Sequence, residues 1–171
     1  MGSLEAVLAG VGDRAVDLDA LCGTWHVVRS TLPLWRARSD VTISYSSLPD
    51  GQTARLDDVV AYGSTRRKTI IGVDSQDAKH PRLFHWRGTG LLSRLASSDW
   101  VLVGNDENYR QWALSYFSRT LFTPAGMDVY ARNESADDAT VASIVDTYTG
   151  IGPIAELVPL LFIPGSRQVN G

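Results

Sequence analysis

The chain has 171 residues, 44% hydrophobic and 20% charged, with 15 Gly and 7 Pro. That composition excludes a disordered or fibrous polymer and is enough to enclose one core. The 16 Lys+Arg against 19 Asp+Glu leave a net charge of -3, so no global attraction draws the protein to nucleic acid or to an anionic membrane.

A single cysteine, Cys22, cannot close an internal disulfide. The first residues, MGSLEAVLAGVGDRAVD, lack a basic start, and Gly10, Gly12 and Asp13 break their short apolar run. No stretch approaches the roughly 20 apolar residues that span a bilayer. The expectation is one cytoplasmic domain covering 1–171, with no membrane or nucleic-acid partner. Oligomeric state is not legible.

In chain order, Leu4, Val7, Leu8 and Val11 recur at helical spacing and predict a short amphipathic helix over Ser3–Val11. From Thr24 the period changes to two, and runs rich in Val, Ile, Thr, Trp and Tyr predict strands. The first strand is Thr24–Ser30, followed by a Pro-containing stretch, and the second is Val41–Leu48. Pro49, Asp50 and Gly51 make a turn, because proline presets the entry dihedral and glycine accepts positive φ. Further strands are predicted at Arg55–Tyr62, Lys68–Val73, Leu83–Gly88, Asp99–Val103, Tyr109–Ser118 and Met127–Arg132. Gly88–Ala96 turns between the fifth and sixth, and Asn105–Asn108 forms the next hairpin loop. The pattern then reverts to helix, with Ser135 as N-cap and Val141, Ile144, Val145 and Tyr148 as one apolar stripe. Gly150 and Gly152 stop it, and a second helical piece follows from Pro153.

Eight sequential antiparallel strands joined by short turns close on themselves and so remove exposed edges. The predicted fold is therefore all-β: an eight-stranded antiparallel up-and-down barrel over about 23–132, with a short N-terminal helix and a helical C-terminal segment over about 135–162. Such a barrel has room for side chains or one small ligand.

Three motifs sharpen this reading. Gly23-Thr24-Trp25 resembles the Gly-x-Trp opening of the lipocalins. Gly104-Asn105-Asp106-Glu107-Asn108-Tyr109 resembles their second motif, and Arg132 in Tyr130-Ala131-Arg132 stands where the third motif's arginine is found. The resemblance covers roughly Leu21–Tyr148 and is most like bacterial lipocalins of the wider calycin group. It implies a structural floor in which Arg132 lies over the indole of Trp25, with Gly23 opening the strand.

If Trp25 marks the floor, Ser30–Asp40 crosses the mouth. Its Leu32, Leu34, Trp35, Arg36 and Arg38 read either as a lid that meets a ligand with a guanidinium or as an ordinary loop covering the core. Counting by twos from Trp25 places Val27 and Arg29 in the lumen. Arg29 then needs a partner, with Asp57, Asp58, Asp128 or an acidic ligand as candidates. Tyr45, Tyr62, Trp86, Trp100 and Tyr116 are the strand aromatics expected to line a ligand, although register decides which face inward.

Other chemistry finds little support. His26, His80 and His85 lack metal-ligand spacing, so no metal site is expected. No G-x-S-x-G elbow is present, and Gly88-Thr89-Gly90 does not follow a phosphate-binding pattern. Asp57 and Asp58 are adjacent and point to opposite faces of a strand, so they do not form a carboxylate pair. No cofactor is expected.

Two functions remain. One is binding of a hydrophobic small molecule in a central cavity. The other, implied by the resemblance to lipocalin-like barrels of bacterial natural-product pathways, is a cofactor-free cyclase or isomerase of the Diels–Alder type acting on a polyketide or terpenoid. There Arg29, Arg36, Tyr45, Tyr62 or Tyr116 would polarise a carbonyl.

Overall fold

The computed structural model describes residues 3–49, 54–90 and 95–166. Eight strands run in chain order: β1 Gly23–Ser30, β2 Thr42–Leu48, β3 Arg55–Tyr62, β4 Lys68–Gln76, β5 Leu83–Gly88, β6 Ser97–Asn105, β7 Trp112–Phe117 and β8 Gly126–Ala131. Each pairs antiparallel with the next, and β1 pairs with β8, so the sheet is a closed up-and-down barrel. Closure leaves no edge free for another chain to extend. The helices are α1 Ser3–Val11, α2 Leu18–Leu21, α3 Asp138–Asp146 and α4 Gly152–Leu157. Among the described residues, no helix is long and apolar enough to cross a membrane.

The predicted helix over Ser3–Val11 and the strands Arg55–Tyr62 and Leu83–Gly88 match the structure end to end. The differences are local and have local causes. β7 starts at Trp112 rather than Tyr109, because the Asp106 carboxylate accepts hydrogen bonds from the backbone N–H groups of Arg110, Gln111 and Trp112, holding those residues in a loop. Tyr109 in that loop adopts a positive φ of 55°. α3 is capped by Asp137 rather than Ser135, its side chain accepting from Thr140 N at 2.8 Å. The four-residue α2 is too short to show a period. Asp50 and Gly51 of the expected turn, and 91–94 of the expected Gly88–Ala96 turn, lie outside the described residues.

The strands separate two cores. Trp25, Ile43, Tyr45, Leu56, Phe84, Trp100, Leu102 and Tyr130 pack inside the barrel. Val28, Val101, Leu114, Tyr116, Met127 and Val129 face outward and meet Val7 of α1, Val141, Ile144 and Val145 of α3, and Ile154 of α4. Six consecutive buried residues in β8 follow from this, since that strand is covered on both faces.

One irregularity redirects the site. The β1–β8 register pairs Val27 with Tyr130 but Arg29 with Val129, so Val28 is an extra residue on β1. The bulge reverses the alternation beyond it. Arg29, expected in the lumen, points outward and bonds Asp138 of α3 at 2.5 Å, while Ser30 turns inward.

Candidate functional site

The barrel has a closed end and an open end. At the closed end the Arg132 guanidinium lies 3.6 Å from the Trp25 ring centroid. It donates to the backbone oxygens of Ala20, Cys22, Thr24 and Tyr109, and Trp25 Nε1 donates to Leu21 O at 2.9 Å. The guanidinium therefore ties α2, β1 and the β6–β7 loop into one plug. Gly23 sits beneath it at φ 99°, with the site of an added Cβ only 3.1 Å from an Arg132 nitrogen.

The open end is framed by the loops after β1, β3, β5 and β7. The first carries a short 3-10 turn, Pro33–Trp35, whose Trp35 ring drops inward to 6.0 Å from Tyr62. Arg38 stacks over Tyr62 at 4.6 Å and faces Trp35 at 5.8 Å. Arg36 instead lies 4.1 Å over Phe162 of the C-terminal tail, which pairs by backbone with Ser30. This loop is thus a tethered lid whose inward cation is Arg38. Below it Val60, Tyr62, Ile70, Trp86 and Phe117 are only partly buried. Leu34 is 39% exposed on the lid, while Leu95, Leu121 and Phe122 are at least 90% exposed on neighbouring loops.

Deeper in, the lumen is filled. Phe84 stacks on Trp100 at 4.4 Å, and Tyr45 stacks on its other side at 5.9 Å. These three rings, like Val27 and Tyr130, have almost no exposed surface. A small cleft of about 150 Å³ lies outside the barrel, between α1 and β6, lined by Arg14, Arg82 and Tyr148 among others.

Within this aromatic interior sits a band of polar groups that sequence reasoning did not assemble. Asp58 from β3, Asp74 from β4 and Asp128 from β8 are all buried and inward-facing. Asp74 accepts a 2.7 Å bond from Trp100 Nε1, and Asp128 accepts one of 2.5 Å from Ser30 Oγ. Burial, and next the charge of Asp74 beside it, push the Asp58 carboxyl well above its ordinary range. Burial raises Asp74 from 3.8 to about 7 against the Trp100 N–H, and raises Asp128 to about 7 against the Ser30 hydroxyl and the Trp35 indole. The phenols of Tyr45 and Tyr130 are likewise held neutral by burial. Asp58 Oδ1, Asp74 Oδ2, Ser115 Oγ and Tyr130 Oη are buried without a hydrogen-bond partner. Such atoms ordinarily find one.

The sequence-predicted residues therefore divide. Trp35, Tyr62 and Trp86 meet at the open end. Tyr45, Trp100 and Val27 lie deeper, and Leu34 and Arg36 sit on the outer side of the lid. Arg29 and Tyr116 are outside the barrel, Arg29 because of the bulge and Tyr116 because Ala113 and Ser115 take the inward positions of β7. The exclusion of a carboxylate pair held only for adjacent residues: Asp58 and Asp74 come together from neighbouring strands. Asp58 and Asp74, on strands between apolar residues of the same parity, were the available signal, but only register places them on one wall.

No family model matches the sequence, and no curated protein does. Solved structures do match in fold. Apocrustacyanin C2 superposes with a TM-score of 0.62 at 13% identity, covering 89% of this chain and 81% of that one. Lobster apocrustacyanin A1 gives the same score and identity over 86% and 78%. The siderocalin Ex-FABP gives 0.61 at 13% identity over 88% and 97%. The chain has the lipocalin fold. In lipocalin terms its closed end is the Trp25–Arg132 plug, and its mouth is the lidded end bearing Trp35, Tyr62 and Trp86.

Proposed function

We propose that this lipocalin-like barrel binds a hydrophobic small molecule from its open end. The observation that carries the reading is the gradient of burial along one lumen: a sealed floor, and a mouth where Tyr62, Ile70, Trp86 and Phe117 keep exposed surface beneath a tethered lid. Apolar area removed from water there contributes roughly 25 cal/mol per Å². The exposed Leu34, Leu95, Leu121 and Phe122 offer an apolar approach. Among proteins of similar fold, the siderocalin Ex-FABP is described as functioning through dual ligand specificities. The reading includes a reducing, cytoplasmic compartment, consistent with a single cysteine.

Titration of intrinsic tryptophan fluorescence with a panel of lipids, polyketides and terpenoids tests this. Saturable quenching is expected, weakened about tenfold in Trp86→Ala. A flat response across the panel would overturn it.

A second reading, a cofactor-free cyclase or isomerase, draws on the buried carboxyls. With Asp74 raised to about 7, a neutral acid is available at neutral pH to polarise a substrate carbonyl. Conversion of a linear polyene precursor to an isomeric product without added cofactor separates it from simple carriage.

A further inference from the structure

Three carboxyl groups buried in an aromatic tube, with no buried base to neutralise them, are costly to fold around. Among the described residues, no lysine, arginine or histidine joins Asp58, Asp74 and Asp128 in the lumen. The nearest inward cation is Arg38 at the mouth, held on the faces of Tyr62 and Trp35. Asp58 is influenced by Asp74 and Asp57, both acids, and the groups facing Asp74 and Asp128 are the Trp100 and Trp35 indoles, Asp58 and the Ser30 hydroxyl. The unpartnered atoms Asp58 Oδ1, Asp74 Oδ2, Ser115 Oγ and Tyr130 Oη converge on the same stretch of lumen, and three of the four belong to acceptors or neutral hydroxyls suited to an N–H donor. The walls there are ring faces, which attract cations.

We infer that the barrel's ligand carries a basic amine, whose ammonium group is received by Asp58, Asp74 and Asp128 while its apolar body lies against the aromatic rings above them. This rests on the ligand-binding reading and adds the chemical class of the ligand. Entry requires Trp86 to swing. Its indole lies over Gly72, where an added Cβ would sit 2.2 Å from Nε1, and Gly72 is the cross-strand partner of Asp58. Trp86 thus separates the carboxyl pair from the mouth. An ammonium arriving beside these carboxyls favours their ionised form, so binding releases protons wherever the free protein holds them protonated.

The test is calorimetric titration of the full chain with three compounds sharing one apolar body: naphthylmethylamine, naphthylmethanol and naphthoic acid. The amine is expected to bind about tenfold or more tightly than the alcohol near pH 8, with the acid weakest. Titrations in buffers of different ionisation enthalpy should show proton release near pH 6 that fades toward about pH 8.5. In Asp74→Asn and Asp128→Asn the preference for the amine should shrink toward one. If the alcohol or the acid binds as well as the amine, or if no proton is released, the amine inference fails while ligand binding stands. If none of the three binds, both fail. Proton release is read on the unaltered protein, so the inference remains testable even if a variant does not fold.

Discussion

Arg29 and Asp74 show how much a single side chain's meaning depends on which way its strand faces. Read by alternation, Arg29 is a buried charge awaiting a ligand; across the bulge at Val28 it becomes a cation on the outer wall, bonded to an Asp138 that is 94% exposed. A pair so open to solvent contributes at most about 1 kcal/mol. Arg29→Ala is expected to lower the melting temperature only slightly and to leave ligand titrations unchanged, as differential scanning and fluorescence would show. Asp74 is the reverse case. Its carboxyl is taken from 3.8 up to about 7 by burial, so the charged form weakens the fold at neutral pH. Asp74→Asn should therefore be more stable than the parent near pH 8 and nearly equal to it near pH 4, a difference measurable by denaturant unfolding.

At the scale of elements, the lid and the paired strands β3, β4 and β5 set what can reach the interior. Gly72 exists in its strand to seat the Trp86 indole, and no other residue leaves that space. Gly72→Ala must push the ring away at a cost of about 1 to 3 kcal/mol. A lower melting temperature, together with a shifted tryptophan emission maximum, is the expected result; an unchanged spectrum would show that the ring is not held there. The lid is fastened at both ends: Phe162 pairs with Ser30, and Arg67 donates to Asp40 O and Thr42 Oγ1. Gly165 N also donates to Trp35 O. Ligand entry is thus expected to move side chains such as Trp86 more than the lid's backbone.

For the whole molecule, the balance of carboxyl environments predicts an acid-shifted stability maximum. Asp74 and Asp128 are raised to about 7. Between about pH 4 and 7 the unfolded chain ionises these groups while the folded chain keeps them protonated. Stability present below pH 4 is therefore lost as pH rises, by about 1 kcal/mol per pH unit for each group. His85, raised by its bonds to Asp99 and Asp77, adds to the loss in the same direction. Asp77, lowered to about 2, acts oppositely, and its stabilisation disappears only as pH falls toward 2. Thermal unfolding from about pH 3 to 9 should peak near pH 4 to 5, and a maximum at pH 7 or above would contradict the buried carboxyls.

The barrel, its strand order, the Trp25–Arg132 plug residues and the covering helices were legible because each rests on local signals: a period of two, turn residues, a period near four, and short gaps that permit only neighbouring strands to pair. Trp35, Tyr62 and Trp86 were legible as aromatic candidates, though not as a group. The bulge at Val28 leaves no mark in composition. The inward meeting of Asp58, Asp74 and Asp128 is likewise invisible along the chain, since it depends on residues far apart in sequence being brought level by strand register. The amino-acid order alone decided that this chain closes into a barrel with one plugged end. Only the tertiary structure decided what lines it, because facing is a property of paired strands and one inserted residue reverses it.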